Sequence, residues 1–157
     1  MIETQIRESL AENWLPAIYR EKIRPQRTRS IRIDVAPREN QAEIQYTLLG
    51  IELKVGRRRF ACPDLATARY MRVFARIGCG EFAIPYDITM ISTAADELET
   101  SWQRALLLAA EKTNAKPSRV VSLARGRVVK AMREEISEIG AGEAMPQFDR
   151  ETRQKRA

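Results

Sequence analysis

Between Arg27 and Cys62 apolar residues recur at every second position, whereas on both sides of that stretch they recur every three or four. A chain that changes period in this way builds a sheet from its middle and helices from its flanks. Side chains alternate across a strand but return to one face of a helix after about 3.6 residues. The fold class that follows is α+β, a small antiparallel β-meander of three or four strands packed by helices.

Within the middle stretch, Ile31, Ile33 and Val35 alternate with Arg32 and Asp34, the pattern of a strand with one buried and one wet face. Pro37 to Asn40 reads as a turn, which makes the next run, Ile44, Tyr46 and Leu48, the antiparallel neighbour of the first. At Gly50 the phase shifts to Ile51, Leu53 and Val55, as at a bulge or a tight bend. Gly56 then reads as a hairpin turn into Arg58, Phe60 and Cys62.

Ile2, Ile6, Leu10 and Trp14 fall four apart, so the chain starts with an amphipathic helix that Pro16 kinks or restarts. Pro63-Asp64 opens a second long helix and Gly78 closes it. One face carries Ala66, Tyr70, Val73, Phe74 and Ile77, and another carries Arg69, Arg72 and Arg76. Phe82, Ile84, Tyr86 and Ile88 suggest an edge strand or irregular connection, since Pro85 interrupts them. Thr93 with Asp96 resembles a capping box, predicting a helix from there to about Lys112 on the stripe Ala95, Leu98, Trp102, Ala105, Leu106 and Ala109. Val121, Ala124, Val128, Met132, Ile136 and Ile139 mark a last helix ending at Gly140, so the chain closes with a helical hairpin. Residues 1–140 are read as one domain and 141–157 as a disordered charged tail.

Histidine is absent, which excludes Ser-His and Cys-His catalysis and the commonest ligand of catalytic zinc. Only Cys62 and Cys79 carry thiols, so there is no disulfide framework and no paired CxxC zinc motif. With no signal-peptide pattern and no long apolar run, the expected location is the cytoplasm, without membrane contact. The net charge is +6, and of the 27 cations only six are lysines. Arginine forks suit phosphates and carboxylates, so the composition points to an anionic partner, either nucleic acid or an acidic protein surface.

The densest cationic cluster is Lys54, Arg57, Arg58 and Arg59 at the hairpin, followed by Arg69, Arg72 and Arg76 on the next helix. If hairpin and helix share a face, these seven make a stripe able to follow several phosphates. Otherwise they are the solvated charges that ordinarily guard a sheet edge. Leu107 and Leu108 fall off the main stripe of their helix and suit contact with another chain, which allows an assembly or regulatory role and a homo-oligomer through the C-terminal helices. Cys79, between two glycines at a helix C-terminus, has the wrong dipole for a thiolate and reads as a small buried residue.

Asp34, then Glu52-Leu53-Lys54, then the arginine-bearing helix form an order that resembles the nucleases with a D...ExK site, including the Holliday-junction resolvase branch. The resemblance covers residues 1–80 and implies Asp34 and Glu52 as Mg²⁺ ligands with Lys54 catalytic. If Asp34 faces Glu43 across the expected turn, Glu52 lies nine residues further along. That is about 30 Å at ~3.3 Å per residue, unless the chain folds back at Gly50. The expectation taken forward is a non-catalytic binding protein without cofactor, using Lys54, Arg57, Arg58, Arg59, Arg69, Arg72 and Arg76.

Overall fold

The computed structural model describes residues 1–34, 41–114 and 117–142. Helix α1 (Ile2–Leu10) turns its Ile6 and Leu10 inward, and the chain restarts as α2 (Leu15–Ile18), with Pro16 in the first turn where its missing N–H costs nothing. A π-helical turn, Tyr19–Ile23, carries the chain into β1 (Thr28–Arg32). Three strands follow, β2 (Ala42–Thr47), β3 (Gly50–Val55) and β4 (Arg58–Cys62), and then α3 (Leu65–Ile77), β5 (Glu81–Pro85), α4 (Ile88–Lys112) and α5 (Ser118–Ile139). The fold is α+β, as its hydrophobic periods require. Among the described residues no helix is long and apolar enough to cross a membrane.

The meander is β2-β3-β4, antiparallel throughout. Of the two features that Gly50 could mark, a bulge or a tight bend, it marks the bend. It follows a two-residue turn, Leu48-Leu49, so that Thr47 faces Gly50 and the chain reverses. Gly50 has φ 127°, a conformation open to glycine and strained for other residues.

The expected pairing of β1 with β2 is not found. β1 pairs with β5 in a separate two-stranded sheet, Ile31 facing Phe82 and Ser30 facing Ala83. The strand also ends earlier than its sequence pattern implied, at Arg32, while Val35 and the expected turn at Pro37 to Asn40 lie outside the described residues. Likewise outside them is the tail from residue 143 onward. β5 draws β1 away because Phe82, Ala83 and Ile84 are fully buried and need a backbone partner inside the core.

Helix α3 is capped as its ends suggest. The Asp64 carboxylate accepts from the Thr67 N–H, and Gly78 closes the helix in the left-handed conformation. Helix α4 begins five residues before the Thr93 capping box: Asp87 accepts from the Thr89 N–H, and Thr93 sits inside the helix with its hydroxyl donating to the Thr89 carbonyl. The residues read as a strand extension at Ile88 are therefore the first turn of α4.

Tyr19, Tyr70, Phe74 and Phe82 meet at the centre, with Phe74 stacked on Phe82 at 4.6 Å and Tyr70 5.0 Å from Phe74. Two hydroxyls of this group serve the edge of β5 that β1 leaves open. Tyr70 Oη donates to the Ala83 carbonyl at 2.5 Å, and the Ala83 N–H donates to Tyr19 Oη at 2.9 Å. Tyr19 Oη in turn donates to the Gly140 carbonyl at 2.8 Å, tying the end of α5 to the same point. A second tie is Glu135 on α5, which accepts from Trp14 Nε1 at 2.6 Å and from Arg7 at 3.2 Å.

Tyr70→Phe keeps the ring but strands a buried carbonyl, an expected loss of about 1–3 kcal/mol in urea unfolding. Tyr19→Phe is expected to cost at least as much, because two backbone groups lose their partner. Burial raises both phenols above their usual value of 10.0. The folded state therefore holds their protons more tightly than the unfolded state. The stability this contributes is complete below pH 10 and is lost as pH rises beyond it, so the alkaline loss should be smaller in either variant.

Candidate functional site

Strand alternation and register divide the cations of the β3–β4 hairpin between two faces. Ala42, Leu53, Val55 and Cys62 are buried on the face that α3 covers. The opposite face carries Glu43, Glu52, Lys54 and Arg59, since Glu43 is paired with Lys54, and Lys54 with Arg59. Arg57 stands exposed in the turn. Arg58, paired with Val55, shares the α3 side, and its Nη1 donates to the Ile33 carbonyl at 3.3 Å, bracing β4 against the end of β1.

The arginines of α3 turn to α4 instead of toward the hairpin. Arg69 donates to both oxygens of Glu99, at 3.1 and 2.9 Å, and to Asp96 at 2.6 Å. Arg72 donates to Glu99 at 3.3 Å. Arg69 and Arg72 side chains are only 26% and 24% exposed, and the bonds to Glu99 and then Asp96 hold Arg69 more firmly protonated than usual. Arg76 is held less firmly than usual, first by burial and then by the nearby Arg72 charge. The seven cations of the hairpin and α3 thus do not form one continuous stripe. Part of the set lies on the far side of the sheet from α3, and Arg69 and Arg72 are neutralised within the fold.

Glu52 and Lys54 do share a face, two positions apart on β3, and the reversal at Gly50 removes the long separation expected along a single strand. Asp34 is nevertheless not their neighbour in a sheet. It follows β1, with its N–H directed at the Gly80 carbonyl. Glu52 has one oxygen buried without a hydrogen bond and Arg59 at 4.0 Å. Among the described residues no three His, Cys, Asp or Glu side chains are grouped to hold a metal ion.

Cys79 lines a cleft of about 390 Å³ with Glu81, Arg133 and Ser137. Burial pushes its thiol up to about 12, which leaves it protonated and a poor nucleophile at neutral pH. Arg133 is occupied at the C-terminal end of α3, where its Nη1 donates to the Ile77 carbonyl.

Exposed cations without an ion pair among the described residues lie elsewhere, Arg29 on β1, Arg57 in the β3–β4 turn and several along α4 and α5. Residues 103–128 hold six cations and one acid. Arg104, Lys112, Arg119, Arg125 and Arg127 are exposed, and among the described residues none of them has an ion-pair partner. Leu107 and Leu123 stand among them, 64% and 62% exposed, each five residues from the connecting turn. Leu108, read with Leu107 as facing another chain, is half-buried against the core. In the sequence these cations are divided between two helices on either side of Pro117, and no local cluster as dense as Arg57, Arg58 and Arg59 marks them.

The chain matches no protein-family model, no curated protein and no solved structure.

Because Arg69, Asp96, Glu99 and Arg72 act as one network, Arg69→Met and Glu99→Gln are expected to be non-additive. A double-mutant cycle read by urea unfolding should give a coupling of about 1–2 kcal/mol, shrinking little with salt because the groups are largely covered.

Proposed function

We propose that the protein is a non-catalytic binding module for an anionic macromolecule, and that it receives this partner at the end of the α4–α5 hairpin. The observation that carries the reading is the contrast between the arginines of α3, already satisfied by Glu99 and Asp96, and Arg119, Arg125 and Arg127, which are exposed and without ion pairs among the described residues. A guanidinium with an internal carboxylate has little to gain from a phosphate or a second carboxylate. One facing water keeps its full attraction.

Leu107 and Leu123 favour an acidic protein surface over nucleic acid, because a phosphate backbone offers a leucine nothing to bury against. This joins the anionic-partner and assembly readings in one surface. Lys54 and Arg57, which have no ion pair among the described residues, offer a second, smaller cationic site on the β3–β4 hairpin, whereas Arg59 already has Glu52 beside it. A reducing, cytoplasmic compartment suits the free thiols Cys62 and Cys79.

Fluorescence anisotropy tests the proposal with three probes, an acidic leucine-bearing helical peptide, duplex DNA and single-stranded RNA, each at low and at physiological salt. Salt-sensitive binding of the peptide is expected, weakened about tenfold or more by combined Arg119→Glu, Arg125→Glu and Arg127→Glu substitutions. Leu107→Asp should weaken the peptide and spare any residual DNA binding. Absence of salt-sensitive binding to all three probes removes the reading.

A further inference from the structure

The free edge of the three-stranded sheet breaks two local rules at once. β2 pairs with β3 on one side, and among the described residues no strand pairs with its other side. Edges of this kind are normally guarded by lysine, proline or a bulge. The opposite edge, β4, carries Arg58 and Arg59, whereas on β2 the single charge is Glu43, and Ile44 to Thr47 carry neither a charge nor a proline. The turn that follows places leucines at both central positions, where glycine and asparagine are favoured, and leaves Leu48 and Leu49 106% and 96% exposed. Tyr46 is 72% exposed beside its cross-strand partner Ile51. A β-prone edge with so little charge is prone to associate in water unless it is covered.

The backbone register says which groups are on offer. The Gly56 N–H donates to the Gln41 carbonyl. In an antiparallel ladder bonded pairs alternate, so Glu43, Gln45 and Thr47 also bond to β3, and the N–H and C=O groups of Ile44 and Tyr46 point away from it.

We propose that this edge is a homodimer interface, in which β2 of one protomer pairs antiparallel with β2 of a second copy about a two-fold axis at Gln45. The pairing sets Ile44 opposite Tyr46 of the partner subunit, so that these residues exchange both free backbone bonds and meet on the apolar face. Glu43, the single charge of β2, falls opposite the partner's Thr47. The two copies of Glu43 are then four positions apart, about 13 Å along the strand, beyond the ~8 Å screening length of physiological salt. A second copy is favoured as occupant because this +6 molecule repels itself wherever its cations face each other, and the β2 edge is a surface where no like charges meet. The two sheets would join into one of six strands, independently of the basic α4–α5 end.

Sedimentation equilibrium of the full chain across micromolar to millimolar concentration tests this. The expected species has twice the 18.0 kDa chain mass. Tyr46→Pro removes only an outward N–H, so it should give a monomer with unchanged far-ultraviolet circular dichroism. Leu107→Lys should leave the dimer intact, which separates this interface from the α4–α5 surface. Should Tyr46→Pro fail to fold, Gln45→Cys gives the second readout. The two-fold axis places this residue beside its copy, about 4.5 Å apart at Cα and within disulfide range, so mild oxidation should yield a covalent dimer. A monomeric wild type at every concentration, a dimer that Tyr46→Pro does not weaken, or no crosslink through Gln45→Cys overturns the proposal.

Discussion

A strand buried at the centre of a small domain must satisfy both of its edges, and β5 does so in an unusual way. β1 takes one edge, and the hydroxyls of Tyr19 and Tyr70 take the N–H and C=O of Ala83 on the other. An unpaired amide there would cost about as much as several good surface contacts contribute. The two tyrosines come from the helical turn before β1 and from α3, and Tyr19 also reaches the Gly140 carbonyl beyond α5. Three separate parts of the chain are thereby tied to one residue of β5.

That arrangement decides the rest of the sheet structure. With β1 committed to β5, the meander closes on β2, β3 and β4 alone, with α3 across one of its faces. Helix α3 then lies between the meander and α4. Its second face, rich in arginine, meets Asp96 and Glu99 and becomes an internal contact. Asp96 and Glu99 of α4 thereby take up Arg69 and Arg72, which are withdrawn from the positive field left to solvent. Charge composition alone therefore says that an anion could be attracted, but not where.

Much of the fold could be read from residues near one another in sequence. The two caps of α3 are local hydrogen bonds, Asp64 to the Thr67 N–H and Gly78 in a left-handed turn, and both are visible as residue types. The α5 stripe Ala124, Val128, Met132 and Ile136 is likewise a local period and is buried as such. Strand partners are not local. The alternation of Ile31 and Ile33 says that a strand has an inner face, but Ile31 faces Phe82, some fifty residues away, and no period in the sequence names that partner. The site was obscured for the same reason: Arg69 and Arg72 find Glu99 thirty and 27 residues on. The start of α4 was misplaced because Thr93 and Asp96 imitate a capping box, while Asp87 supplies the true cap from inside a β-prone run. The Asp34, Glu52 and Lys54 order suffers equally, since sequence order does not say that β1 and β3 belong to different sheets.

The account stands most directly on the claim that the outer edge of β5 is sealed by tyrosine hydroxyls. Native-state amide hydrogen exchange at Ala83, followed by NMR on the full-length chain, measures this. The expected result is protection approaching that of global unfolding, falling at Ala83 in Tyr19→Phe by clearly more than the common drop that the variant's lower stability imposes on the amides of α5. Rapid exchange of the Ala83 amide in the folded wild-type protein would contradict the account, because it would mean that water already reaches that edge.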